Sequence, residues 1–319
     1  MIQMKKPGLA VGAVFGALLF AAPLGFAQGE YQGQGQVIVT VLPKHESDAV
    51  GDVSAQGAKL KVNGKDSSVT KLVPLKSEQD SLELVVLIDG ASRTSLGRQL
   101  DDIAKFVKSL PPNARATIGY MQNGHAALAG PLSADHAEVL KGLHIPAGSA
   151  GSNGSPYFCL SDLAKRWPSE DPNARREVLM VTDGVDDYNL RFDPSDQYVQ
   201  AAVADAVRAR LVVYSIYWRG QGRIDNTQYE NNAGQSLLLT VTDATGGKSF
   251  WEGTGNPVSF EPYLDELTRR LRNQYELSFV SPLKGKSEVE TMKLKFSVPG
   301  SEVNAPQQVF VGRAGAVQN

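Results

Sequence analysis

Two aspartates stand at the ends of two long apolar runs. Leu82 to Ile88 (LELVVLI) leads into Asp89-Gly90-Ala91-Ser92, and Glu177 to Thr182 (EVLMVT) leads into Asp183-Gly184. Apolar runs of this kind are expected of strands buried on both faces of a sheet. In open α/β sheets, ligands bind outside the carboxyl ends of such strands. Each run thus delivers one carboxylate to the same edge. Asp at a strand end is equally suited to capping the loop that follows, and these two residues alone do not separate the readings.

Other chemistry-bearing patterns are weaker. Ala150-Gly151-Ser152-Asn153-Gly154 is close to a nucleophile elbow. An elbow needs a strand before it and a helix directly after, whereas here Gly/Ser loop flanks both sides. His125, His136 and His144 also precede Ser152, the reverse of the α/β-hydrolase order. A serine hydrolase using Ser152 is therefore the least supported alternative, and the chain is expected not to be an enzyme. Gly247-Lys248-Ser249 resembles the end of a phosphate-binding loop, but Thr242 stands where the first Gly belongs and the order is helix then strand. Asp186, Asp187, Asp193 and Asp196 form an acidic stretch without EF-hand spacing, interleaved with Tyr188, Phe192 and Tyr198. Such a run is usually a solvated loop; here it could also shape a partner-binding rim, since aromatic side chains suit interfaces. Cys159, the single cysteine, sits among Tyr157, Phe158 and Leu160 and reads as a buried thiol.

The elements that would position these residues follow from periodicity. Residues 36–42 and 59–62 alternate, and the Asn63-Gly64 pair after the second is a hairpin signal. From Leu82 the style changes to apolar runs separated by amphipathic segments. Helical spacing covers 96–110, 197–210, 232–245 and 260–274, with shorter helices expected over 133–142 (Ser133 as N-cap) and 161–167. Strands are expected at 116–121, 126–129, 177–182, 211–218, 248–251 and 275–280. Strands alternating with helices predict an α/β fold with a doubly wound, mainly parallel sheet. After Pro282, residues 290–298 and 307–311 return to β character. They are expected to pack with the N-terminal strands as an accessory β-rich module, since neither segment holds a core alone.

The order of a strand ending in Asp, an amphipathic helix, a Gly/Ser-rich loop and a strand ending in Thr-Asp-Gly resembles the von Willebrand factor A (vWA) family, over about Leu82 to Val280. The arrangement looks most like exported bacterial members. In that family Asp-x-Ser-x-Ser, a middle-loop Thr and the Asp of Thr-Asp-Gly hold Mg²⁺ or Mn²⁺, whose open position takes an acidic group of a partner protein. Asp89 and Asp183 match the two carboxylates, and Ser155 is the plausible substitute for the middle-loop Thr. The two serine positions are Ala91 and Arg93; Ser92 and Ser95 are out of register. The resemblance therefore implies a degenerate metal-ion-dependent adhesion site, with Arg93 placed to direct its guanidinium at Asp89 and Asp183.

The ends and the composition bound the setting. Lys5 and Lys6 precede an apolar stretch from Leu9 to Ala22, broken by Pro23 and Gly25, with Gly25-Phe26-Ala27 after it. This pattern is that of a cleaved export signal, with cleavage after Ala27. The expected segments are a signal peptide over 1–27, an N-terminal β-rich module over 28–80, a vWA-like domain over 81–281 and a C-terminal β segment over 282–319. No later stretch is apolar enough to span a bilayer, and a net charge of −2 without a dense Lys/Arg run argues against nucleic acid. The expected function is non-catalytic protein–protein binding outside the cytoplasm, in the periplasm or as a secreted protein. It would run through the loops after Asp89, Ser155 and Asp183, with Ser92, Arg93, Asp186, Asp187 and Tyr188 on the rim. No cofactor is expected; a Mg²⁺- or Mn²⁺-dependent adhesion module using Asp89 and Asp183 is the alternative. The partner is a protein whose identity the sequence does not reveal.

Overall fold

The computed structural model describes residues 30–45, 48–76, 80–92, 96–148, 152–186, 188–189, 191–219, 227–253 and 255–313. The export signal over 1–27, and with it the cleavage point, lies outside the described residues. Among the described residues no helix is long and apolar enough to cross a membrane.

One sheet is built from the middle of the chain. Strand β4 (Leu82–Asp89) lies between β5 (Arg115–Gln122) and β7 (Arg175–Thr182). Strand β8 (Leu211–Tyr217) follows β7, and two short strands, β9 (Ser249–Phe250) and β6 (His125–Leu128), close the edges in the order β6-β5-β4-β7-β8-β9. All pairs are parallel except β5–β6, so the sheet is mixed. Every residue of β4 is buried, because helices cover both faces. On one face α1 (Gln99–Ser109) and α6 (Glu261–Arg272) bring Ile103, Phe106, Leu264 and Leu267 against Leu84, Val86, Leu179 and Val181. On the other, α3 (Pro156–Lys165), α4 (Gln197–Arg208) and α5 (Gln228–Thr245) pack Leu160, Val203 and Leu237 against Val85, Leu87, Val178 and Met180. The short α2 (His136–Val139) is capped by Asp135, not by Ser133, whose hydroxyl accepts from the Asp135 amide.

The chain ends build a second sheet, and this overturns the expected fold class. Strands β1 (Glu30–Pro43), β2 (Lys59–Val62) and β3 (Lys65–Pro74) join β10 (Gln274–Lys284), β11 (Glu288–Lys295) and β13 (Gln308–Arg313) in the order β10-β3-β2-β11-β13-β1. β1 pairs again with β10, so six antiparallel strands close into a barrel, with β12 (Ser301–Asn304) added beside β1. The protein is thus not a doubly wound α/β sheet with a minor β accessory. A closed barrel with its own core stands beside a mixed sheet, and among the described residues strands outnumber helices. The segment 275–280, read from sequence as the last strand of the alternating series, belongs to the barrel. Its period-2 pattern shows why: Tyr275, Leu277 and Phe279 point into the barrel core with Val39, Val41, Leu60, Val62, Met292 and Val311. Gly35 makes room for them, since a Cβ there would sit 2.5 Å from the Phe279 ring.

The two units share a polar seam at the amino-end edge of the mixed sheet. The buried Arg175 guanidinium donates to the Leu271 carbonyl at 2.7 Å and to the Gln274 side chain, where β10 begins. Gln274 in turn donates to the Tyr214 hydroxyl at 3.0 Å. Arg210 reaches the barrel residue Glu276 at 3.3 Å.

Candidate functional site at the carboxyl edge of the mixed sheet

Parallel pairing of β4 with β7 puts Asp89 and Thr182 side by side at the carboxyl edge. Asp89 is buried, and protein donors surround its carboxylate. Oδ2 accepts from the Thr182 hydroxyl at 2.7 Å and from the Asn153 carboxamide at 3.0 Å. Oδ1 accepts from the Ala91 amide at 2.8 Å. A buried carboxylate is costly unless hydrogen-bonded, and these three bonds meet that demand. Burial first, and then the Asp89 charge, push the neighbouring Cys159 thiol up to about 12, so it stays protonated at neutral pH.

Asp183 follows in a half-buried turn, its Oδ1 accepting from the Val185 amide at 3.0 Å. Asp183, Asp186, Asp193 and Asp196 repeat this motif, each accepting the backbone N–H two residues on. The acidic run is therefore the framework of its own loop: Asp side chains bond locally and replace the backbone bonds that a loop lacks. Tyr157 ties this loop to α3 by donating to the Gly184 carbonyl at 2.8 Å. Burial first, and then the charges of Asp186 and Asp183, push the Tyr157 hydroxyl well above the usual tyrosine range, so it stays a donor. Tyr217, raised to about 12 by burial and Asp183, likewise keeps its proton and donates to Asn231 at 2.9 Å.

Close backbone approaches fix the edge. A Cβ on Gly90 would sit 2.5 Å from the Met121 carbonyl oxygen, and one on Gly234 would sit 2.2 Å from that of Asp183. Gly234 thus lets α5 lie against the Asp183 turn. Gly234→Ala is expected to lower stability by about 3 kcal/mol, at the high end for overpacking, and to shift the Asp183 turn, as measured by thermal unfolding and amide exchange of residues 183–186.

Several expected site residues are not where the sequence reading put them. Ser155 is fully buried and serves as the N-cap of α3, its hydroxyl accepting from the Tyr157 and Phe158 amides at 3.2 and 3.4 Å. The middle-loop residue that reaches Asp89 is Asn153, two positions earlier. Ser92 and Asp186 are buried and so do not form a rim, because the Asp89 turn and the Asp186 turn fold them inward. Arg93 and Asp187 lie outside the described residues. Tyr188 is at the surface, 62% exposed, and belongs to an aromatic group that the sequence reading only partly assembled. Phe158 contacts Tyr188 and Tyr198 with ring centroids 5.2 and 5.0 Å apart, and Phe192 contacts Tyr229 at 5.8 Å. Tyr198 and Tyr229 are 44% and 66% exposed. Tyr229 escapes a sequence reading because it sits at the start of α5, away from the acidic run, and only folding brings it to Phe192.

The donor set does not fit Mg²⁺ or Mn²⁺. Such an ion wants oxygen ligands in octahedral array, but Asp89 Oδ2 faces a carboxamide N–H and an O–H that are already bonded to it. One family serine position is Ala91, and the Ser155 oxygen is engaged as a cap. Among the described residues the Ser152 hydroxyl has no hydrogen-bond partner, while His125 pairs with Asp162 and the rings of His136 and His144 bond the Ala114 and Gly142 carbonyls.

No family model matches the chain, and no curated protein matches it. Among solved structures, it is similar to the conserved hypothetical protein BatB from Bacteroides thetaiotaomicron, with 14% identity and a TM-score of 0.41, over 60% of this chain and 97% of that one. It is similar to the SpRpn10 VWA domain at 10% identity and a TM-score of 0.39, over 58% and 94% of the two chains. For the pilus adhesin SpaC from Lactobacillus rhamnosus GG the values are 9% and 0.45, over 80% of this chain and 48% of that one.

Proposed function

We propose that this protein is a non-catalytic binding module, exported from the cytoplasm, whose carboxyl-edge loops dock a protein partner without needing a metal ion. The observation that carries this reading is the set of exposed tyrosines, Tyr188, Tyr198 and Tyr229, on and against the chain that follows Asp183. Tyrosines that present an apolar ring and a polar hydroxyl on a rigid base are well suited to interface anchors. Here four Asp-centred turns and the Tyr157–Gly184 bond anchor the described parts of that base. The bonded state of Asp89 supports metal independence; a Mg²⁺- or Mn²⁺-dependent adhesion module using Asp89 and Asp183 is the weaker reading.

The test is affinity capture from the extracytoplasmic fraction of the source cells, with wild type and Tyr188→Ser/Tyr229→Ser compared in EDTA and in Mg²⁺. A captured protein that persists in EDTA and falls at least tenfold with the double variant is expected, since each lost anchor is worth about 1–2 kcal/mol. Capture that is unchanged by the two substitutions would overturn the assigned surface. Capture that needs Mg²⁺ would restore the adhesion reading.

A further inference from the structure

We propose that Asn153 does in this protein the joining work that a divalent cation would do at such an edge: its carboxamide ties the loop before α3 to the end of β4. Asn153 is buried, and three contacts aim it. The Ser152 and Asn153 carbonyls each accept at 2.7 Å from the amides of Asn123 and Gly124, in the β5–β6 turn. The Asn153 carbonyl also accepts from the Cys159 thiol at 3.4 Å. Gly154 follows with φ +77°, and a Cβ there would meet the Gly124 nitrogen at 2.6 Å, so the chain turns sharply after Asn153. With its backbone fixed on β5–β6 and on α3, the side chain crosses to Asp89 Oδ2 at 3.0 Å. Thr182 reaches the same oxygen from β7. One carboxylate oxygen therefore gathers three segments, β4, β7 and the loop before α3.

The spacing explains why an amide and a cation are alternative solutions. Adjacent ligand oxygens around Mg²⁺, with bonds of about 2.1 Å, stand about 3.0 Å apart. An Asn153→Asp substitution would place a second carboxylate oxygen at that distance from Asp89. Two carboxylates so close repel, and a divalent cation between them would relieve the repulsion. The native amide needs no such ion, because its N–H donates directly.

This inference deepens the metal-independent part of the proposed function, and its test does not involve a partner. Thermal unfolding of the whole protein would be followed for wild type, Asn153→Asp and Asn153→Ala, in EDTA and through a Mn²⁺ titration. Wild type is expected to melt at the same temperature in both. Asn153→Asp should melt at least 5 °C lower in EDTA and regain most of that loss, saturably, in millimolar Mn²⁺. Asn153→Ala should lose stability and not regain it. The rescue is what a merely space-filling Asn153 would not show. The proposal is overturned if wild type is stabilised by Mn²⁺, if Mn²⁺ leaves Asn153→Asp where EDTA had it, or if it raises Asn153→Ala equally. Should Asn153→Asp not fold in EDTA, refolding in Mn²⁺ is the equivalent rescue. If it folds in neither, the proposal is overturned. Partner capture that fails while the rescue succeeds would leave Asn153 in place and remove only the docking surface.

Discussion

Glu177→Gln should flatten the dependence of stability on pH between about 4.5 and 8. Glu177 is fully buried on β7, and neither carboxyl oxygen has a hydrogen-bond partner among the described residues. Burial raises its pKa to about 8 against the opposing pull of Arg175 and, less strongly, of the Gln274 side chain. The charge acting on it is Arg175 on its own strand, and its own charge reaches the Tyr214 hydroxyl on β8. A carboxyl whose folded pKa is raised holds its proton in the folded state after the unfolded chain has lost it. Its contribution to stability is therefore fully present below about 4.5, falls as pH rises and is lost by about 8. The slope is about 1.4 kcal/mol per pH unit for one group, so over the roughly 3.5 units between 4.5 and 8 the total is about 5 kcal/mol. Gln has the same shape and cannot ionise. Denaturant unfolding from pH 4.5 to 9 should show the variant gaining on wild type throughout the window, then running parallel above pH 8. Parallel curves throughout would mean that Glu177 is paired and charged.

Gly247→Ala should be more damaging still. A Cβ at Gly247 would lie 1.8 Å from the Val213 carbonyl oxygen and 2.6 Å from its carbon. Both are backbone atoms of β8, so no side chain can swing aside. Gly246 before it caps α5 in the left-handed region at φ +84° and lies against Pro306 of the barrel. The Gly247 carbonyl accepts from Asn304, and the Gln307 amide donates to the Asp243 carbonyl at 3.0 Å. The added methyl must therefore push α5 from β8 and from the barrel together. A loss above about 4 kcal/mol is expected, the range reserved for core overpacking and backbone strain. It would be seen as loss of the cooperative melting transition in circular dichroism.

What could be read in the sequence was what short stretches carry by themselves. The apolar runs ending in Asp89 and Thr182-Asp183 are self-contained signals, and they do place Asp89 and Thr182 together. The residue that completes this edge was mistaken, because Ser155 has the hydroxyl of a metal ligand but also stands just before Pro156, where a helix wants an N-cap. Asn153 carries no local mark of its reach; only the turn at Gly154 and the β5–β6 anchor direct it. The barrel was missed for a different reason. Gln36 pairs with Ser278 and Gly33 with Arg313, and a strand does not record which distant strand it will join. Strand β10 also follows α6 so closely that it looked like the end of the alternating series. Glu177 opened the EVLMVT run as an ordinary strand start, and its burial follows from the barrel seam that covers that end of β7.

The closure of the barrel has a kinetic side. Strands β3 and β10 are neighbours, with Pro74 opposite Tyr275, yet the whole mixed-sheet unit lies between them in the chain. For the barrel, that unit is the loop of a hairpin. Were it unfolded, bringing its ends together would cost on the order of 5 kcal/mol in lost chain entropy. Folded, it presents those ends already joined, with the Leu75 amide on the Gln274 carbonyl at 2.9 Å and the Arg175 amide on that of Ser81 at 2.8 Å. Pairing of distant strands is slow because the loop must close before the contacts form. The topology therefore favours folding of the insert first, which would then hold the two chain ends together for pairing.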